Sequence, residues 1–268
     1  MSVVQAIVLG VVQGLTEFVP ISSSGHLVIV PAALGWDSPG LSFDVLLHVA
    51  SLVALLVYFS GDLLDLVKGA RAGDRDQRRL AMLLLIGTIP AGLAGLLLGN
   101  LFEEQFEDAR GAALQLLITA AILVAAELAL RYHQRKRAEQ GQDLRRMNDL
   151  GVVDAGLVGV AQAIAIVPGI SRSGATIAAG LARGVSREAS ARFGFLLAIP
   201  ALFGAAFVKL PDLGDGSVGL GAGLGGFVAS LIASYVAIAA LIKYLKTRSL
   251  YPFAIYCVIA SVVFYQLV

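Results

Sequence analysis

Charge is what this sequence has least of. Only 15% of its 268 residues are charged, against about 25% in an ordinary soluble domain. The apolar share of 57% excludes a disordered chain, since disordered chains are poor in apolar residues. A single cysteine, Cys257, excludes an intrachain disulfide. The net charge of +1 provides no basic excess for nucleic acid, so we expect no nucleic-acid partner.

Long apolar runs are what the sequence has instead. A membrane-spanning helix needs about 20 mostly apolar residues, and six segments reach or approach that length. They are Phe43–Phe59, Leu80–Leu101, Ala112–Leu130, Ala189–Val208, Val218–Ile242 and Tyr251–Val268. The sequence therefore predicts an all-α polytopic membrane protein with six transmembrane helices.

Two further apolar regions, about 3–34 and about 152–182, are interrupted by prolines, glycines, hydroxyls and charges. Each half is too short to cross a bilayer. Irregular backbone is tolerated at membrane depth only where it is buried in protein or lines a polar cavity. We therefore predict two re-entrant helical hairpins.

The two broken regions repeat each other. Without gaps, GVVQGLTEFVPISSSG from residue 10 aligns with GVAQAIAIVPGISRSG from residue 159. Each half then holds one hairpin and three membrane crossings. Because three is odd, the second half starts on the opposite side of the membrane and is inverted relative to the first. The prediction is one integral membrane domain, 1–268, built as an inverted-topology repeat of 1–130 and 151–268. Functional sites are expected where the broken elements meet.

The basic residues predict the orientation. With both hairpins re-entrant, seventeen of the twenty lysines and arginines lie on one face. The opposite loops, 102–111 and 209–217, have two. Cytoplasmic loops collect lysine and arginine, so both termini are predicted to be extracytoplasmic. The first hairpin then opens outward, which favours an extracytoplasmic active site, although a cavity open to both faces stays an alternative.

Three ionisable residues at membrane depth, Glu17, His26 and Arg172, carry the functional hypothesis, because such residues are costly there. A guanidinium and a helix start rich in serine and glycine suit a phosphate. An added carboxylate and imidazole can activate a nucleophile. The predicted phosphate-binding residues are Ser22, Ser24, Gly25, Ser171, Ser173, Gly174 and Thr176, and Gln13 and Gln162 are predicted to support them.

These residues also have structural interpretations. The serines and glutamines could be interhelical hydrogen-bonding groups, which are common in membrane bundles. Arg172 could simply pair with Glu17, and His26 could be an interior histidine with satisfied hydrogen bonds. The joint occurrence of two matched breaks with complementary polar groups favours the functional interpretation.

The strings GLTEFVPISSSGH (14–26) and PGISRSGAT (168–176) resemble the two signature motifs of the bacterial undecaprenyl-diphosphate phosphatase family, historically called the bacitracin-resistance protein family. The resemblance covers essentially the whole chain. It implies hydrolysis of undecaprenyl diphosphate in the bacterial cytoplasmic membrane, and with it carrier recycling for peptidoglycan synthesis and bacitracin resistance. Its catalytic glutamate, histidine, arginine and candidate nucleophilic serine fall on Glu17, His26, Arg172 and Ser23.

The resemblance also implies stimulation by a divalent cation, Mg²⁺ or Ca²⁺, with Glu17 as the metal ligand. Family members have Glu or Gln where this chain has Gln13, so a pair of carboxylates is not available here. No organic cofactor is implied. Type-2 phosphatidic acid phosphatases catalyse the same reaction, but their further histidine and aspartate have no counterpart between Ser173 and Ala182.

Several alternatives stay open at this point. The nucleophile is either Ser23 or a water activated by Glu17 or His26. An inverted-repeat transporter or lipid-phosphate flippase is the competing function. The partners are a polyprenyl diphosphate and the bilayer, while oligomeric state, with a homodimer as one option, cannot be read from the sequence.

Overall fold

The computed structural model describes residues 1–38, 40–103, 108–209 and 219–268, without the side chains of 98–103. Within these ranges the regular structure is entirely helical, with eleven α-helices and a 3₁₀ helix at Met147–Asp149. The α-helices are α1 Val3–Phe18, α2 Ser23–Ala33, α3 Leu41–Tyr58, α4 Ser60–Ala72, α5 Arg75–Glu103, α6 Ala109–Glu139, α7 Val152–Ile164, α8 Arg172–Ala182, α9 Arg187–Lys209, α10 Leu220–Leu245 and α11 Tyr251–Leu267.

Five of these helices, α3, α5, α6, α9 and α10, are long and apolar enough to cross a membrane. Each coincides with one of the predicted spans to within two residues at the ends where the helix is shorter than the span. The sixth predicted span is α11, a shorter apolar helix of 17 residues, which at 1.5 Å per residue is about 26 Å long. The chain is therefore a multi-pass helical membrane protein.

The predicted connections contain more helix than expected. The basic stretch from Gly61 to Arg79 includes all but the first residue of α4, which ends at Ala72 and is followed by Gly73 with a left-handed φ of 89°. Helix α6 continues to Glu139, well past its predicted apolar end at Leu130. Arginine, lysine, glutamine and glutamate are good helix formers, so polar sequence prolonged the helix. The predicted loops 102–111 and 209–217 lie largely outside the described residues.

Each broken region folds into a pair of short helices, α1–α2 and α7–α8. The second helix of each pair begins at a serine N-cap. Ser22 Oγ accepts a hydrogen bond from Gly25 N over 3.3 Å, and Ser171 Oγ accepts one from Gly174 N over 3.0 Å. These caps satisfy backbone donors that a helix start leaves without partners, so the serines explain why a new helix starts after each break.

Glycine lets both helix pairs pack tightly against long helices. A Cβ on Gly10 of α1 would lie 2.3 Å from the carbonyl oxygen of Gly226 in α10. A Cβ on Gly159 of α7 would lie 2.3 Å from the carbonyl oxygen of Gly87 in α5. Small residues permit this close backbone approach, which is typical of membrane helix packing.

A fully buried carboxylate, Glu127 of α6, joins three elements. Four-residue spacing on the helix predicts an ion pair with Arg131, and that prediction is wrong. Glu127 Oε1 accepts from Arg187 Nε over 2.8 Å, at the start of α9, and from Leu250 N over 2.8 Å, just before α11. A buried carboxylate needs full compensation, and the distant arginine supplies it where solvent-facing Arg131 would not.

A second charged cluster fixes the start of α7. Asp154, 2% exposed, accepts from Arg145 Nη2 over 2.5 Å and from Arg183 Nε over 2.7 Å. Burial alone raises the pKa of Asp154, but the hydrogen bonds from both arginines outweigh burial and hold this pKa well below its ordinary value. The cluster therefore ties the loop before α7 to the end of α8.

Candidate active site

The tips of the two helix pairs touch each other. We define the first tip as residues 19–25 and the second tip as residues 166–174. A Cβ on Gly25 would lie 3.2 Å from Gly169 Cα, and Ser173 Oγ donates to the Val19 carbonyl over 3.4 Å. Gly169 has a φ of 87°, a conformation that glycine adopts without strain. The polar residues of both breaks consequently surround one location.

Glu17, at the end of α1, is the centre of that location and is 5% exposed. Its Oε2 accepts from the Ser23 hydroxyl over 2.5 Å and from Gln13 Nε2 over 2.9 Å. Its Oε1 accepts from Arg172 Nη2. Gln13 and Glu17 are four residues apart and therefore share one helix face. The carboxylate is oriented by one group from each helix of the first pair and by one from the second pair.

Arg172, the first residue of α8, forms an ion pair with Glu17. The pairing that the sequence offered as a structural interpretation is therefore present. The ion pair leaves N–H donors of Arg172 available, because a guanidinium carries five N–H donors in a planar fork and the contact with Glu17 uses Nη2. Arg172 can hold Glu17 and still direct donors at a phosphate.

His26 is buried and turned towards α11. Its Nδ1 lies 2.7 Å from the Ser22 carbonyl oxygen, and its Nε2 lies 2.8 Å from the Tyr256 hydroxyl. The described hydrogen bonds of His26 thus go to a backbone carbonyl and a tyrosine, and not to Glu17. The sequence analysis did not identify Tyr256, because nothing in its sequence context indicates this contact.

His48 of α3 lies closer to Glu17 than its sequence context suggested. Its Nε2 is 3.6 Å from Glu17 Oε2, and its Nδ1 donates to the Asp44 carbonyl over 2.7 Å. Four-residue spacing indicated the contact with Asp44. Proximity to Glu17 depends on how α3 packs against α1, which a single sequence does not reveal.

Each tip also carries a pair of serine hydroxyls, and the two pairs occupy matching positions. The Oγ atoms of Ser22 and Ser24 are 3.3 Å apart, and those of Ser171 and Ser173 are 3.1 Å apart. Thr176 differs, because its hydroxyl donates back to the Arg172 carbonyl over 3.0 Å.

Two buried residues on either side of the second tip complete the polar surroundings. Gln162 is 2% exposed, and neither its amide oxygen nor its nitrogen has a partner among the described residues. Thr119 of α6 was missed by the sequence analysis. It accepts from Ser171 N over 3.0 Å and donates to the Gly169 carbonyl over 2.8 Å, and a lone threonine in an apolar helix gives no signal of such a role.

A resident divalent cation does not fit this donor set. Both oxygens of Glu17 already accept hydrogen bonds, one of them from a guanidinium. Mg²⁺ and Ca²⁺ take six or more oxygen ligands. No cluster of three histidine, cysteine, aspartate or glutamate side chains suited to a metal occurs in the part of the chain that is described. We therefore derive no step through a cation.

Fold and site together define a polytopic helical membrane protein with a buried serine–carboxylate–arginine centre. The chain belongs to the family described as bacitracin resistance protein BacA, whose model matches residues 6–263.

Relatives named undecaprenyl-diphosphatase agree with this membership over nearly their full length. The relative from Gloeobacter violaceus is 44% identical over 94% of this chain and 87% of its own. The relative from Methanosphaera stadtmanae is 39% identical over 98% of this chain and 97% of its own. The relative from Idiomarina loihiensis is 40% identical over 100% of this chain and 99% of its own.

Proposed function

We propose that this protein hydrolyses undecaprenyl diphosphate to undecaprenyl phosphate and inorganic phosphate in the bacterial cytoplasmic membrane. This reaction would recycle the lipid carrier for peptidoglycan synthesis and confer resistance to bacitracin. Family membership and the names of the relatives support the activity. The observation that carries the proposal is the 2.5 Å hydrogen bond from Ser23 to Glu17, beside the guanidinium of Arg172.

Phosphate binding falls to the tips. The start of α8 presents free backbone N–H groups and a positive dipole end, which suit an anion. Arg172 adds a fork of donors that matches phosphate oxygens and stabilises charge on them during transfer. Of the predicted phosphate-binding residues, Ser24 and Ser173 contribute hydroxyls, Ser22 and Ser171 cap the helices, and Gly25 and Gly174 allow close approach. Thr176 braces the backbone of Arg172.

The chemical step begins at Ser23. Its hydroxyl oxygen attacks the terminal phosphorus, the bond to the bridging oxygen breaks, and the lipid monophosphate leaves. Glu17 accepts the serine proton and passes it to the leaving phosphate. Water then attacks the phosphoserine, Glu17 takes a proton from that water, and Ser23 recovers its proton as inorganic phosphate departs. General-base assistance of this kind contributes roughly 10²- to 10⁴-fold to a rate.

The competing version has a water as nucleophile, activated by Glu17 or His26, with Ser23 only binding. The two versions differ in whether a phosphoserine forms. The sequence-based prediction also gave His26 a share in the proton transfer. The hydrogen bond between Ser23 and Glu17 favours the serine version, because it aligns the proton to be removed with the base that removes it.

The inverted repeat is part of the proposal. The two halves, 1–130 and 151–268, contact each other in a related way: α1 packs on α10 as α7 packs on α5, and α2 contacts α11 as α8 contacts α6, although α2 packs more extensively on α6 of its own half. The matched approaches of Gly10 and Gly159 to partner carbonyls and the matched N-caps support the same relationship. The helix pairs α1–α2 and α7–α8 would then be re-entrant hairpins from opposite faces.

Orientation follows from the basic residues. Seventeen of twenty lie on the face that we assign to the cytoplasm, since cytoplasmic loops collect lysine and arginine. Both termini are then extracytoplasmic, and the first hairpin, with Glu17 and Ser23, opens to that side. The polyprenyl tail stays in the lipid while the diphosphate enters between the tips.

The test is phosphate release from undecaprenyl diphosphate by the purified protein in proteoliposomes, with lipid translocation measured in the same vesicles. We expect wild-type release, with most of it lost in Arg172→Ala and in Glu17→Ala while both variants remain folded. Translocation without release would favour the transporter alternative. Wild-type release by either variant would contradict the assigned site.

A further inference from the structure

Ser22 has an unusual backbone. Its φ of 71° and ψ of 98° make it the one non-glycine residue with a positive φ in the described ranges. Side chains rarely adopt such angles, and residues that do are held there by their surroundings. Ser22 directly precedes Ser23, so the backbone angles of Ser22 set the position of Ser23 and, together with the side-chain torsion of Ser23, the direction in which its hydroxyl points.

The Ser22 carbonyl is held by His26. It accepts from the His26 ring Nδ1 over 2.7 Å and from the His26 backbone N–H over 3.2 Å. A carbonyl oxygen can only accept, so Nδ1 carries the proton. In the neutral ring Nε2 is then an acceptor.

Tyr256 of α11 completes the chain of contacts. Its hydroxyl lies 2.8 Å from His26 Nε2 and is the donor to that acceptor. The two rings are stacked, with centroids 5.7 Å apart and an angle of 16° between their planes. Phe264, two turns further along α11, meets the same imidazole edge-on at 6.2 Å. Helix α11 therefore fixes the plane of His26, and its tyrosine satisfies Nε2 in the tautomer that the Ser22 carbonyl requires.

We propose that Tyr256 and His26 are a positioning pair that holds Ser22 in its strained conformation and thereby aims Ser23 at Glu17. In this assignment His26 moves no proton in the reaction, since its donor serves Ser22 and its acceptor serves Tyr256. The proposal rests on the proposed function in one respect: Ser23 is the nucleophile being aimed.

The kinetic test uses conservative and non-conservative substitutions. Tyr256→Phe removes one neutral hydrogen bond but keeps the ring, so kcat should fall about tenfold with KM within about twofold. Tyr265→Phe, on the same helix and similarly exposed, is the matched control and should leave kcat unchanged. His26→Asn keeps a donor near Nδ1 and should stay within about tenfold of wild type, whereas His26→Leu should lose more than about a hundredfold.

Two outcomes would overturn the proposal. His26→Asn could be as inactive as His26→Leu while folded, which would mean that the imidazole itself acts in the reaction. Alternatively, Tyr256→Phe could match the Tyr265→Phe control.

A measurement independent of activity separates this proposal from the proposed function. The chain has three histidines, so ¹⁵N-histidine NMR in nanodiscs can resolve each ring. We expect His26 to be protonated at Nδ1 and unprotonated at Nε2, with its Nε2 resonance shifted by Tyr256→Phe and not by Tyr265→Phe. A proton on Nε2 alone, or no shift, would refute the pair. Absence of wild-type phosphate release would refute only the function.

Discussion

Ser23 donates its hydroxyl hydrogen to Glu17 Oε2 over 2.5 Å, although the two residues lie on different helices. The break at residues 19–22 reverses the chain so that the start of α2 faces the end of α1. A serine and a buried carboxylate at this distance have the geometry that a nucleophile and its general base need, and this is the pair that we propose. Arg172 on the same carboxylate brings the second half of the chain into that pair.

Replacement of Ser23 tests the identity of the nucleophile. Ser23→Ala should lower phosphate release by at least about 10³-fold, since loss of a nucleophile costs orders of magnitude. Acid-quenched wild-type protein with a labelled terminal phosphate should yield a phosphoserine at position 23, whereas Ser23→Ala should yield none. Turnover by Ser23→Ala close to the wild-type rate would instead establish water as the nucleophile.

A glycine pair on α7 tests the close packing of the helix pairs. In Gly159→Ala the new Cβ would meet the Gly87 carbonyl oxygen at 2.3 Å, and overpacking of this kind costs about 1–3 kcal/mol or more. We expect a clear drop in thermal stability, measured by size-exclusion chromatography after heating.

The control for that variant lies on the same helix. A Cβ on Gly156 meets nothing within 4 Å, so Gly156→Ala should be neutral or stabilising by about 0.5–1 kcal/mol. Equal melting temperatures of Gly159→Ala and wild type would contradict the described approach of α7 to α5.

The Asp154 cluster gives a prediction with a pH dependence. Its folded pKa is depressed by Arg145 and Arg183, so its stabilisation is complete above the ordinary pKa of about 3.9 and is lost as pH falls through the lower folded value. Asp154→Asn should destabilise the protein by about 1–3 kcal/mol, a reduced figure because both arginines are partly exposed and screened by solvent.

Melting temperatures of wild type and Asp154→Asn at several pH values provide the measurement. The difference should be constant between about pH 5 and 8 and should shrink below about pH 4. Asp65→Asn, at an exposed position of α4, is the control and should match wild type. A difference that grows on acidification would contradict the assigned sign.

The sequence was most informative where a pattern has one physical meaning. Long apolar runs can hardly be anything but membrane helices, so all five long spans were predicted. Gln13 and Glu17 share a helix face, which their four-residue spacing predicts. Glu17 and Arg172 were selected for their cost at membrane depth, and Ser23 was selected through the family resemblance. The structure describes Glu17 in contact with both, and the catalytic roles of all three stay predictions.

Contacts between helices that are distant in the chain could not be predicted from the sequence. Glu127 had a basic residue at the right spacing in Arg131, yet Arg187 from another helix pairs with it. Tyr256 meets His26 across 230 residues, and Thr119 reaches the second tip across about 50. These partners depend on how helices pack in three dimensions, and local periodicity does not encode that packing.

We propose Glu17 as the base of a phosphatase site, and phosphate release from undecaprenyl diphosphate by purified Glu17→Gln shows whether a base is needed at this position. This substitution keeps the side-chain size and a hydrogen-bond acceptor but removes the base. The account predicts release reduced by roughly 10²- to 10⁴-fold in folded protein, with the exposed control Glu139→Gln at the wild-type rate. Release by Glu17→Gln at the wild-type rate would contradict the account.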